Sequence, residues 1–137
     1  MRPGIKEIIT RAKKKEIILA ISTSTSFENV VSLVRACFNE DPKKLFSFIS
    51  TGELVQKKKP HPDLYKLVLK NISVQPSECF AFEDSRTGLL SSKVLKIPTI
   101  VSPSIYNLND DFSEADYVLE SFNYNILPLA LRKRLSL

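Results

Sequence analysis

The chain has only two cysteines, Cys37 and Cys79, a single histidine, His61, and no tryptophan. An unpatterned cysteine pair lying inside apolar segments argues against a disulfide framework and for reduced, buried thiols, which points to the cytoplasm. No apolar stretch approaches the roughly 20 residues of a membrane-spanning helix, so no membrane association of that kind is expected. The opening "MRPGIKEIIT" lacks the continuous apolar centre of a secretory signal, and a soluble, unprocessed protein is the expectation. Internal repeats, linkers and low-complexity segments are absent too.

What remains is ordinary globular material: 137 residues, 43% hydrophobic and 26% charged, the size of one domain. The net charge of +5 gathers in Lys13 to Lys15, Lys57 to Lys59 and Arg132-Lys133-Arg134. Such a balance permits anionic partners. The first run continues the polar side of an amphipathic helix, the last is a basic C-terminal tail or helix, and no aromatics interleave them as a stacking platform for bases requires. Nucleic acid is therefore not an expected partner.

The hydrophobic period changes repeatedly along the chain. Ile5, Ile8, Ile9 and Ala12 recur at helical spacing, and "IILAI" (17–21) is a continuous apolar run of the kind a buried strand shows. Ser26 then caps a helix whose stripe is Val30, Leu33, Val34 and Cys37, and the chain turns at Pro42. "FSFIS" reads as a weak strand, "PDLYKLVLKN" as a helix begun by Pro62, and "CFAF" as a buried strand. "RTGLLSSKVLK" reads as a helix, "PTIVS" as a strand and "YVL" as a last short run. Strands alternating with helices predict an α/β fold: a largely parallel sheet with helices on both faces.

In such sheets ligands bind at the carboxyl ends of the strands, where loops converge. Thr23 and Ser24 follow the first strand, Lys59 follows the second after a short loop, and Glu83 and Asp84 follow "CFAF". A hydroxyl and an ammonium group hold phosphoryl oxygens, and paired carboxylates suit a hard cation such as Mg²⁺. Each feature alone has a plainer reading. Thr23 suits a turn, Lys59 a solvated surface, and the carboxylates suit the positive end of a helix dipole.

Order and spacing go further. "LAISTSTSFENV", "KKKPHPDLY", "CFAFEDSRTGL" and "PSIYNLNDDFSEADYVLESF" resemble successive blocks of the haloacid dehalogenase superfamily, in particular its CbbY-type, β-phosphoglucomutase-like branch. The resemblance runs to about Phe122, which sets residues 1–122 as a partial core domain and 123–137 as the basic tail. It implies a Rossmannoid fold and a Mg²⁺-dependent phosphatase of small phosphorylated metabolites, sugar phosphates among them. By the same resemblance Thr23 and the Ser24 amide bind the phosphoryl group, Lys59 neutralises charge on phosphate and nucleophile, and Glu83 and Asp84 anchor Mg²⁺. It gives His61, between two prolines, no role.

One family motif is missing. The resemblance implies an initial central strand ending in Asp-x-Asp, whose first aspartate attacks phosphorus, followed by a helical cap; no Asp-x-Asp occurs in these 137 residues. Asp110 and Asp111 fall in a later loop of the resemblance and are not that nucleophile. Unpaired edges are expected between the "IILAI" and "CFAF" strands. The chain then reads as one half of a split or truncated enzyme completed by another polypeptide and inactive by itself, or as a noncatalytic remnant that binds phosphate or a partner. Lys96 stands where the family commonly has the glycine that ends a helix.

Overall fold

The expected alternation of helix and strand is realised, with its boundaries moved in ways that matter for function. The computed structural model describes residues 1–137. Helix α1 (Ile5–Lys14) starts at Gly4, whose φ of 92° lies in the left-handed region. A Cβ there would strike the backbone of Phe122, so the start of the chain and its far end can cross only at a glycine. Pro3 and Phe122 seal that crossing with a 2.9 Å backbone hydrogen bond.

The first strand, β1 (Ala20–Ser22), is shorter than the apolar run that announces it. Ile17 and Ile18 are 37% and 54% exposed and lie outside the strand, between it and the turn that ends α1. Glu16 takes a left-handed φ of 55°, and the Ile17 amide returns to the Ala12 carbonyl at 2.9 Å, closing an otherwise orphaned helix end. Helix α2 (Phe27–Phe38) is capped by Ser26, which accepts from the Asn29 amide. Val30 and Val34 pack with Ile9 and Phe46, whereas Leu33 sits at the rim of the stripe and is exposed. Pro42 opens a short helix, α3 (Pro42–Leu45), capped by Asp41, rather than a plain turn.

Strand β2 (Phe48–Ser50) pairs in parallel with β1, Ile21 opposite Ile49. Helix α4 (Asp63–Ile72) leads through a tight 3-10 turn to β3 (Ala81–Glu83). That turn consumes Cys79, whose amide closes on the Pro76 carbonyl, so the strand starts two residues later than "CFAF" suggests and ends one residue later, on Glu83 itself. Both cysteines are half-buried free thiols, less enclosed than their apolar surroundings imply. Helix α5 (Arg86–Val94), capped by Ser85, precedes β4 (Thr99–Val101), and β5 (Tyr117–Val118) completes a parallel β3-β4-β5 sheet. Lys96 keeps the left-handed turn after α5 with a φ of 57°, a conformation that costs a side-chain-bearing residue energy.

The sheet is in two pieces. β1-β2 and β3-β4-β5 share no ladder, and Lys59 Nζ spans from Ser22 at the end of β1 to Glu83 at the end of β3. Both pieces lie against one apolar cluster formed by Ile8, Ala12, Ile100, Phe122, Leu127, Leu131 and Leu135, with Leu19 of the first piece and Phe80 and Phe82 of the second packed on it. Phe82 and Phe122 meet edge to face at 5.3 Å. The basic C-terminal segment supplies helix α6 (Leu129–Leu135), which buries Leu131 and Leu135 in this cluster and turns Lys133 and Arg134 outward. On the opposite face α4 and α5 cover the sheet through Tyr65, Ala81 and Ile97, and through Leu89, Val101 and Phe112. Each fully buried aliphatic or aromatic side chain contributes about 1.5 to 3 kcal/mol. In place of a ladder, packing and a few polar bridges hold the halves together.

Candidate active site

All five residues singled out by the sequence lie at one end of the two sheet pieces. Thr23 follows β1 directly. Its amide bonds the Ser50 carbonyl at 2.9 Å, and its hydroxyl oxygen accepts from the Thr25 amide at 3.2 Å. The Thr23 O–H proton remains free to be donated. The next amide, that of Ser24, makes no hydrogen bond within the protein. Gly52, after β2, lies so close to the Ser24 carbonyl that a Cβ would collide with it, and its amide donates to the Thr25 carbonyl at 2.9 Å, which holds the turn in place. A hydroxyl and a free N–H side by side at a strand end form a ready anion seat.

Lys59 comes from the loop before α4, where the Lys59–Pro60 peptide is cis. Its Nζ donates to the Ser22 carbonyl at 2.9 Å and to Glu83 Oε1 at 2.6 Å. The ion pair is enclosed, with the two side chains 10% and 8% exposed. One ammonium group therefore bridges the end of β1 to the end of β3 across the unladdered gap, and one of its three N–H groups is left over. Glu83 Oε1 also accepts from the Tyr65 hydroxyl, whose ring lies 4.8 Å from Nζ. Oε2 carries no hydrogen bond; it lies against Gly88, where a Cβ would overlap the carboxylate.

Asp84 is half-buried, and its carboxylate has no partner in the protein. Its backbone carbonyl is fixed by the Ser104 amide at 3.1 Å, and that of Glu83 by the Ser102 amide at 2.9 Å. The Asp84 carboxylate and Glu83 Oε2, from successive residues, are hard oxygen donors without protein partners, and no group of three or more His, Cys, Asp or Glu side chains forms that could hold a metal ion. That set fits Mg²⁺, which is commonly held by one or two carboxylates together with water and substrate phosphate oxygens.

The remaining polar candidates stand apart from this arrangement. His61 is exposed, and its carbonyl, not its ring, is used, by the Ser91 hydroxyl at 2.6 Å. Asp111 accepts from the Ser113 amide, which with the Arg86 guanidinium nearby holds its carboxyl below the usual aspartate range. The sequence reading passed over Tyr65 and Gly88. A tyrosine on the apolar face of "PDLYKLVLKN" needs a partner for its hydroxyl, and a glycine inside a helix needs a reason; both reasons are Glu83.

The model for haloacid dehalogenase-like hydrolases matches residues 1–102. The chain belongs to that family. Protein CbbY of Cereibacter sphaeroides is 43% identical over 122 residues, 89% of this chain and 53% of CbbY. A phosphorylated carbohydrates phosphatase of Thermotoga maritima is 34% identical over 79% of this chain and 48% of its own length. Among solved structures, CbbY from Rhodobacter sphaeroides in complex with phosphate superimposes with a TM-score of 0.90 at 41% identity, covering 96% of this chain and 58% of that one. The chain thus spans about half the length of the curated relatives it matches. Within this haloacid dehalogenase-like core the sheet is broken into β1-β2 and β3-β4-β5, in keeping with a core that lacks its first strand.

Proposed function

We propose that this chain is the larger part of the core of a Mg²⁺-dependent phosphatase that acts on small phosphorylated metabolites of the sugar-phosphate type. The observation that carries the reading is the Lys59 bridge from Ser22 to Glu83, flanked by the free Ser24 amide on one side and the free Asp84 carboxylate on the other. In this reading Thr23 donates its O–H and Ser24 its N–H to phosphoryl oxygens, and the remaining Lys59 N–H neutralises a third. Glu83 and Asp84 would hold Mg²⁺, which would supply charge withdrawal from the phosphoryl group. The Lys59 ammonium compensates the charge of Glu83, which lowers the electrostatic cost of bringing an anionic substrate to this end of the sheet.

The nucleophile has to come from outside these residues. A parallel strand ending in Asp-x-Asp, seated between β1 and β3, would satisfy both open edges and bring its carboxylate to the same end as Asp84 and Lys59. We infer that such a segment, with a helical cap, is the polypeptide partner of this core, and that the assembly works in the cytoplasm, in keeping with two free thiols.

The test is to join or mix the chain with a segment of that description and measure phosphate release from sugar phosphates with Mg²⁺ and with chelator. The chain by itself is expected to give no turnover of p-nitrophenyl phosphate. In the assembled protein Thr23→Ala should cost about tenfold, the worth of one hydrogen bond. Asp84→Asn and Lys59→Ala should each cost on the order of a hundredfold or more. His61→Ala should be silent. Near wild-type rates in both Asp84→Asn and Lys59→Ala would overturn the reading. The absence of Asp-x-Asp also favours a second one, a noncatalytic phosphate-binding remnant; saturable phosphate binding with no release of phosphate in any assembly would select it.

A further inference from the structure

Tyr65 lies on the first turn of α4 and is buried, 9% exposed. Its hydroxyl has one partner, Glu83 Oε1, the oxygen that also receives Lys59 Nζ. Its ring face stands 4.8 Å from that same Nζ, within cation–π range. The carboxylate is therefore gripped by a phenol from α4 and an ammonium group from the preceding loop. Gly88 of α5, lacking a Cβ, leaves the space in which the rest of the carboxylate sits.

A lysine on a four-carbon stem has many rotamers, and a buried ion pair is worth keeping only when its geometry is fixed and its lone pairs are satisfied. Neither Lys59 nor Glu83 supplies that fixity alone. We propose that Tyr65 is a positioning residue for the phosphate site. Its hydroxyl holds the Glu83 carboxylate and its ring holds the Lys59 ammonium, so that the one uncommitted Lys59 N–H stays at the carboxyl ends of β1 and β3. The inference rests on the phosphate-site reading above for its functional consequence, and on the Tyr65, Glu83 and Lys59 geometry alone for its structural part.

The experiment reads Lys59 directly in the 137-residue chain, through the side-chain ammonium signal in a ¹H–¹⁵N lysine spectrum assigned with Lys59→Arg. A held ammonium exchanges slowly with water and gives a signal at neutral pH. Tyr65→Phe keeps the ring and the packing and removes only the hydroxyl. It should broaden that signal away and weaken inorganic phosphate binding about tenfold, the worth of one hydrogen bond. An unchanged ammonium signal and unchanged phosphate affinity, accompanied only by a lower melting point, would make Tyr65 a packing residue and overturn the proposal. If the ammonium signal depends on Tyr65 but the wild-type chain binds no phosphate, the positioning role stands and the phosphate-site reading fails. Should Tyr65→Phe not fold, the wild-type chain labelled at the tyrosine ζ carbon decides. A slowly exchanging, downfield Tyr65 hydroxyl proton supports the grip, and its absence refutes it.

Discussion

Replacing Lys59 with methionine removes the charge that bridges the two halves of the sheet while keeping most of the side-chain volume. The Lys59–Glu83 pair is closed at 2.6 Å, with side chains only 10% and 8% exposed, so water cannot readily take over the role of the lost ammonium. Removing one partner of a buried pair leaves an uncompensated charge and costs about 3 to 5 kcal/mol, a large share of the roughly 5 to 15 kcal/mol that holds a domain folded. At a urea dependence of about 1.5 kcal/mol per molar, a loss of 3 kcal/mol lowers the unfolding midpoint by about 2 M. Glu83→Gln should cost less, because Lys59 retains the Ser22 carbonyl and the Tyr65 ring. The double variant Lys59→Met with Glu83→Gln buries no unpaired charge and should recover part of the loss, a coupling that a double-mutant cycle measures. Urea unfolding of the four proteins is the assay. A Lys59→Met midpoint within about 0.5 M of wild type, well short of the expected shift, would refute the enclosed bridge.

Lys96→Gly should stabilise the chain by about 0.5 to 1 kcal/mol, since relief of a left-handed side-chain-bearing residue outweighs the added freedom of the unfolded chain; the thermal midpoint reads it. Leu89→Ala, at a site with no exposure packed on Val101 and Phe112, should cost about 2 to 5 kcal/mol in urea unfolding. At Asp116 burial raises the carboxyl pKa, but the Lys93 ammonium and the Thr99 amide outweigh it and leave the pKa lowered. Its contribution is therefore complete above the unfolded aspartate value of about 3.9 and is lost as pH falls through the lower folded value. The stability gap between wild type and Asp116→Asn should accordingly close in acid, and a gap that widens there would contradict the pairing.

Much of this was legible in the sequence because period and end signals agreed. Ser26 and Pro62 mark helix starts, Ile8 and Ala12 a buried stripe, and the motif residues sit at or just beyond strand ends. The misplaced boundaries share a cause: apolar residues were spent on closing turns. Ile17 closes the end of α1, and Cys79 finishes a 3-10 turn, so the strands begin later than the hydrophobic runs. That shift matters at Glu83, which became the last strand residue, with its carboxylate turned toward Lys59 and Tyr65, while Asp84 beyond it stayed free. Tyr65 was not legible as a site residue, because on a helical stripe it reads as core; only its distance in space from Glu83, across 18 residues of chain, reveals the hydroxyl's partner.

The most direct test of the account is a ¹H–¹⁵N titration of the 137-residue chain with inorganic phosphate, with and without Mg²⁺. The amides of Thr23, Ser24, Lys59 and Asp84 should shift together and saturate. Mg²⁺ should tighten the binding, and Asp84→Asn should abolish that Mg²⁺-dependent gain while leaving the phosphate response itself. Shifts confined to Arg132, Lys133 and Arg134, or a Mg²⁺ effect that survives Asp84→Asn, would contradict the assignment of the strand ends as the phosphate and metal site.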